Sequence, residues 1–250
     1  MNKIEKNLVD FYLAVAQTAG CLLYSEPSFR AVKGTDGGWP DLVFAPDYSL
    51  PPAQLLPLVS RWIGIHGAPR NLVIDSAYLN RNHLSLLRDN GFFPVDSWQM
   101  MQLSLRKTIV FPRSAAKGQF RELEHPADFE QFCGIANREL LGNMPVSPQV
   151  VQRLSTAERF RFWGVFVGEE LIAALLVFAV ADVAGLYLVA ARKEFQLRGF
   201  GSLLLQQTLK ALKSSAIRSV VLHASRKAVP LYEKFGFANF GNLYIYRKTE

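Results

Sequence analysis

Gln196-Leu197-Arg198-Gly199-Phe200-Gly201-Ser202 is the stretch of this chain best equipped to do chemistry. Two glycines one residue apart permit backbone conformations closed to other residues, and they let main-chain N–H groups approach a ligand closely. Leu205, Leu209 and Leu212 follow at i, i+4 and i+7, which predicts an amphipathic helix over 201–215 with Lys210 and Lys213 near its end. The first N–H groups of such a helix have no intrahelical partner. A buried strand, a glycine turn and a helix start together make a cradle for phosphate. Arg198 in the loop, with Arg192 and Lys193 just before it, supplies formal charge for a pyrophosphate or a ribose phosphate. No Gly-Lys-Ser/Thr follows, so this is not a Walker loop. The dinucleotide fingerprint is also excluded, because it needs a third glycine. Taken alone, the loop also suits a plain strand-to-helix turn.

The elements that must hold the loop in place can be read around it. Strands are predicted at 119–123, 159–167, 171–181, 185–191, 219–223 and 243–246, with helices over 126–141 and 228–235. A stretch mixing Lys, Arg, Pro, Ser and Gly at 107–117 marks a seam, which divides the chain into domains of 1–110 and 111–250. The first half ends much as the second does: strand 72–74, helix 81–90, Gly91-Phe92, strand 97–105. Placing Gly91 on Gly236 puts Leu86 on Leu231 and Leu87 on Tyr232, a weak internal repeat with an offset of 145 residues.

Composition narrows the class. The 250 residues are 50% hydrophobic and 20% charged, which excludes disorder, collagen-like repeats and a coiled-coil rod. Residues 171–191 approach membrane-spanning length, but Asp182 would lie mid-span and Gly185 follows it, so two strands joined by a turn are expected. Cys21 and Cys133 are far apart and read as buried small hydrophobes in a reducing compartment. His66, His83 and His125 show no metal-ligand spacing, so no metal is expected. The net charge of +7 equals that of the window 192–227 alone, which holds eight basic residues and only Glu194 as an acid. An anionic partner at the glycine loop accounts for both sign and place.

Downstream of the loop comes Ala228-Val229-Pro230-Leu231-Tyr232-Glu233-Lys234-Phe235-Gly236-Phe237. With it, the chain resembles the GNAT superfamily of acyl-CoA-dependent N-acyltransferases. Its members carry an Arg/Gln-x-x-Gly-x-Gly/Ala loop after the fourth strand and a Leu-Tyr-x-x-x-Gly-Phe helix end after the fifth. The resemblance covers about residues 119–250. It implies an α/β fold of the α+β type: two tandem GNAT-like domains, each a mixed, mostly antiparallel sheet flanked by helices, the N-terminal copy degenerate.

The resemblance also implies functions for particular residues. Gln196, Leu197, Arg198, Gly199, Phe200, Gly201 and Ser202 would wrap the pyrophosphate of acetyl-CoA. Val189, Ala190 and Ala191 would pair with the pantetheine amides where the fourth strand splays from the fifth. Tyr232 stands at the general-acid position, and a phenol with an ordinary pKa near 10 is protonated at pH 7. The base that takes the proton of the acceptor amine is open among Tyr187, Glu194, His223 and water.

In the N-terminal half, Asp47-Tyr48-Ser49-Leu50-Pro51-Pro52 stands where the glycine loop should be, and prolines donate no N–H. That half is expected to wall the acceptor cleft or to mediate a homodimer. Trp39, Trp62 and Trp98 there are expected in the core or at an interface. The functional expectation is a cytoplasmic acetyl-CoA-dependent N-acetyltransferase, active in residues 111–250. It acts on a small-molecule or peptide amine by direct transfer in a ternary complex, with no membrane and no nucleic acid as partner. A non-catalytic acyl-CoA sensor and a basic nucleic-acid-binding module are the alternatives.

Overall fold

The computed structural model describes the chain apart from Met1, Asp36, Gly67, Ala68, Asn82, Val110, Arg113 and Glu250, and the side chain of His66. Helix α1 spans Lys3–Ala19, with Ile4, Leu8, Phe11 and Val15 buried along one face. Asn2 caps it by accepting the N–H of Ile4 and Glu5 at 2.9 and 3.0 Å, while Glu5 accepts the N–H of Asn2 at 3.1 Å. Gly20, at φ 74°, closes it.

Then follow β1 (Leu22–Glu26), β2 (Phe29–Lys33), β3 (Asp41–Phe44), α2 (Pro52–His66), β4 (Asn71–Asp75), α3 (His83–Asp89) and β5 (Phe92–Ser104). Beyond the seam come β6 (Gln119–Glu122), α4 (Pro126–Ala136), α5 (Pro148–Ser155), β7 (Phe160–Val167), β8 (Glu170–Val180) and β9 (Val183–Ala191). The last four are α6 (Phe200–Lys213), β10 (Ser219–Ser225), α7 (Val229–Lys234) and β11 (Ala238–Lys248). The long helix read at 126–141 is α4 followed by a π turn over Asn137–Leu141. The apolar stretch at 171–191 is β8 and β9 turning at Ala181-Asp182. No helix among the described residues is long and apolar enough to cross a membrane.

The expected mixed, mostly antiparallel sheet with flanking helices is present, but the two halves share one sheet. Its order is β1-β2-β3-β4-β11-β5-β10-β9-β8-β7-β6. Each half gives its last strand to the other: β11 lies against β4, and β5 lies against β10. The order is therefore nearly palindromic, with parallel pairs β3–β4 and β9–β10 in matching places. At the centre Trp98 faces Leu243, flanked by Ser97–Tyr244 and Gln99–Asn242. Shifting each partner by 145 residues returns a pair of the same set, so an approximate two-fold passes through Trp98–Leu243. The covalent seam at 107–117 thus does not divide the sheet, because β5 and β11 both cross it in space. These two strands, 13 and 11 residues long, are each paired on both sides by this exchange, so neither forms an edge of the sheet.

Helices α1, α4 and α5 cover one face over a core containing Phe11, Phe132, Phe162 and Phe178. On the other face α6 and α7 pack on Leu175, Val220 and Leu222, while α2 and α3 pack on Val43, Leu72 and Ile74. Trp39 and Trp62 are buried as expected, and Trp98 is partly buried.

Candidate active site

Strands β9 and β10 run parallel and are paired only from Val183–Ser219 to Leu186–Leu222. Past that point they have no mutual pairs, so the sheet opens into a V. The cause lies in β9. Its register with β8 breaks between Ala174 and Leu176, and Leu188 sits at φ 49°. A bulge of this kind bends its strand, and a left-handed non-glycine residue costs about 1–2 kcal/mol. Val189, Ala190 and Ala191 follow the bulge, with the edge toward β10 left without a strand partner.

At the open end of the V the chain passes through a 3-10 turn, Lys193–Phe195, into the glycine loop. Leu197 lies at φ 59° with its side chain in solvent, and Gly199 at φ 89° begins α6. The first bond of this helix runs from the N–H of Leu203 to the Gly199 carbonyl at 2.9 Å. Six consecutive main-chain amides, Leu197 through Ser202, therefore donate to nothing among the described residues. Free amides at a helix start form an anion-binding nest.

Side chains brace the loop from outside. Gln196 donates Nε2 to Glu139 at 3.1 Å and to the Ala191 carbonyl at 3.0 Å, and Glu139 also accepts the Lys193 N–H at 3.2 Å. Ser114, from the seam, donates to the Gly199 carbonyl at 3.0 Å. No sequence pattern marked Glu139 or Ser114, because both reach the loop from distant segments.

The charge expectation needs correcting in part. Arg192 does not point at the nest: its guanidinium donates to the Leu171 carbonyl at 2.6 Å and pairs with Glu170 at 3.2 Å. Lys210 lies over Phe111, Lys213 bonds the Lys107 carbonyl, and Arg218 caps carbonyls of Ser215 and Ile217. Lys210 and Lys213 lie about 15 and 20 Å along α6 from its start at 1.5 Å per residue, and Arg218 follows the end of that helix. Lys193, Arg198, Arg226 and Lys227 are exposed at the end of the sheet that carries the loop.

Across the V, Tyr232 on α7 is 4% exposed and packs edge-on against Phe237. Burial pushes its phenol well above the usual range, so it is a proton donor at any physiological pH. The opposite face of the V carries Tyr187, His223 and Trp98. The His223 ring lies 6.4 Å from both the Tyr187 ring and the Trp98 ring. Glu194 is exposed on the 3-10 turn, so of the three candidate bases the structure brings together only Tyr187 and His223.

The first helix completes this face, a contribution the sequence pattern did not reveal. Phe11 stacks on Tyr187 at 3.7 Å, and the Tyr187 hydroxyl donates to Asn7 Oδ1 at 2.8 Å. Gly185 makes room for the carboxamide: a Cβ there would stand 2.0 Å from Asn7 Oδ1 and 2.5 Å from the Tyr187 ring. Gly185→Ala is therefore expected to cost about 1–3 kcal/mol of stability by overpacking. Urea unfolding of the variant beside wild type measures this, and an unchanged midpoint would refute the tight fit.

The N-terminal loop at the matching position differs. Asp47 and Leu50 donate their N–H groups to backbone carbonyls, and Ser49 donates to Asp47 Oδ1 at 3.0 Å. With Pro46, Pro51 and Pro52 lacking N–H groups altogether, no nest forms there. Two cavities lie away from the V, one of about 470 Å³ beside Phe235 and Lys107, and one of about 250 Å³ beside Glu5 and Tyr48. No group of three metal-ligating side chains exists among the described residues. Both cysteines are buried, and burial pushes the Cys133 thiol up to about 12.

Residues 134–247 match the family model described as an acetyltransferase (GNAT) domain. Among solved structures, a GCN5-related N-acetyltransferase from Kribbella flavida aligns over 100% of this chain and 97% of its own, at 12% identity and a TM-score of 0.71. A second, from Sphaerobacter thermophilus, aligns over 97% and 91% at 17% identity and a TM-score of 0.63. A functionally unknown conserved protein from Staphylococcus epidermidis aligns over 91% and 93% at 11% identity and a TM-score of 0.63. These likenesses share the fold over 91% or more of the chain. No curated protein matches.

Proposed function

From the match of residues 134–247 to the GNAT acetyltransferase domain model, we propose that this chain transfers an acetyl group from acetyl-CoA to a primary amine. The observation that carries this reading is the run of six free amides from Leu197 to Ser202 at the mouth of the V. They would hold the pyrophosphate, with Arg198 adding charge and Gln196 held in place by Glu139. The unpaired edge at Val189, Ala190 and Ala191 would pair with the pantetheine amides and lead the thioester into the crotch of the V. Tyr232 would donate its hydroxyl proton to the departing sulfur. Nothing in this site has the arrangement of an activated nucleophile, so transfer is direct, within a ternary complex.

The N-terminal half, residues 1–110, is in this reading a copy of the same fold that has lost coenzyme binding. Leu87 is buried on α3 where the matching helix α7 carries Tyr232. Its working contribution is to wall the acceptor side through α1. Small-molecule or peptide amines are the proposed acceptors, a homodimer the proposed assembly and the cytoplasm the proposed setting.

Titration calorimetry with acetyl-CoA, followed by thiol release across a panel of amines, tests the reading. Micromolar binding and release that depends on the amine are expected. Failure of wild type to bind acetyl-CoA would sink it.

A further inference from the structure

His223 is placed where an acceptor must arrive. It is the first residue of β10 beyond the last pair with β9, and Tyr187 is its counterpart on β9. Both its ring nitrogens are closed off from solvent, and neither has a hydrogen-bond partner among the described residues. Asn7 Nδ2, the other end of the carboxamide that holds Tyr187, is likewise unmet. A buried polar atom left unmet costs about 1–3 kcal/mol; two such atoms are on His223 and a third is on the carboxamide that holds its neighbour Tyr187. Packing alone gives no reason to keep an imidazole in that position, since Val73 occupies the matching place on β4.

We propose that His223 takes the proton from the acceptor nitrogen, and that Asn7 positions the Tyr187 ring against which that nitrogen sits. This rests on the acetyltransfer reading above. The neutral amine forms the C–N bond at the thioester carbon, and the extra proton on that nitrogen passes to the free lone pair of the imidazole. The C–S bond then breaks with its electron pair going to sulfur, which takes the Tyr232 proton. Afterwards His223 gives its proton to water and the Tyr232 phenolate takes one from water, so both groups return to their starting state.

Burial lowers the His223 pKa to about 4, because a proton taken up from water brings a new charge into an apolar surrounding. Transfer from a nitrogen cation already inside the same crotch leaves the buried charge unchanged, so the desolvation penalty falls on both partners alike. Neutral Tyr187 faces the ring from β9, and Trp98 from β5. Asp10 on α1 lies near Tyr187 and is paired with Lys6 at 2.6 Å. Asp96 is occupied by Trp98 Nε1 at 2.9 Å. Each nearby carboxylate thus already has a partner, and His223 does not.

The test compares His223→Ala and His223→Gln with wild type, reading acetyl-CoA affinity by calorimetry and turnover by thiol release. Both variants are expected to bind acetyl-CoA normally and to lose at least about 100-fold in kcat. Added imidazole should restore His223→Ala in proportion to the neutral imidazole present, which a merely structural role would not produce. Turnover within about threefold of wild type in either variant overturns the proposal. So does a folded His223→Ala that binds acetyl-CoA but is not rescued. If His223→Ala fails to fold, the glutamine variant decides by its kcat. A wild type that releases no thiol with any amine fails the acetyltransfer reading itself and takes this proposal with it.

Discussion

Gly199→Glu is expected to weaken acetyl-CoA binding by at least about 100-fold, read by titration calorimetry. Three effects act together at this position. At φ 89° any side chain is strained, by about 1–2 kcal/mol. A Cβ would stand 2.9 Å from Ser114 Oγ and would displace the hydroxyl that holds the loop's carbonyl. The carboxylate would then lie among the amides meant for phosphate, replacing attraction by repulsion. Because backbone strain alone can unfold a loop, Arg198→Glu is the companion variant. Its side chain is exposed, so the fold is retained and only the charge at the nest reverses. About tenfold weaker binding is expected there, growing smaller in high salt. Wild-type affinity in both variants would remove the nest from coenzyme binding.

Tyr232→Phe is expected to lower kcat by about 100-fold while leaving acetyl-CoA affinity within about twofold. The substitution keeps the ring that packs against Phe237, so folding is preserved and only the proton is lost. Since burial holds this phenol protonated well past its usual range, wild type should show no alkaline decline assignable to Tyr232 up to about pH 10. Thiol release measured from pH 6 to 10 on both proteins reads both effects. An unchanged kcat in the variant would take Tyr232 out of the chemistry.

What the sequence disclosed follows from how local each signal is. The glycine loop, the Leu205–Leu209–Leu212 stripe and the Gly236-Phe237 stop are set by residues within a turn or two of one another. They are readable in the sequence, and the structure sets the glycine loop at the open end of the V. The repeat is readable only through its ends, because Gly91 and Gly236 mark the same point in each half while β1, β2 and β3 are short strands of ordinary composition. The exchange of β5 and β11 was hidden, since a strand's pattern says which face it buries and not which neighbour it joins. The pairing of Arg192 is hidden for the same reason: its partner Glu170 comes from an adjacent strand. Asn7 is the clearest loss. It is an ordinary polar residue on an amphipathic helix until α1 docks 180 residues away in sequence, beside Tyr187.

The shared sheet has a consequence for how the molecule comes into being. As the chain emerges from the ribosome, β4 and β5 are complete long before the strand that must lie between them. Arg247 meets Asn71 only after 176 further residues exist. Until then both strands present raw edges, and closing so long a loop is slow. The two halves therefore cannot mature one after the other in the usual order of synthesis. The first half must wait for the last strand of the second, so the nascent protein passes through a period when it is sticky and unfinished.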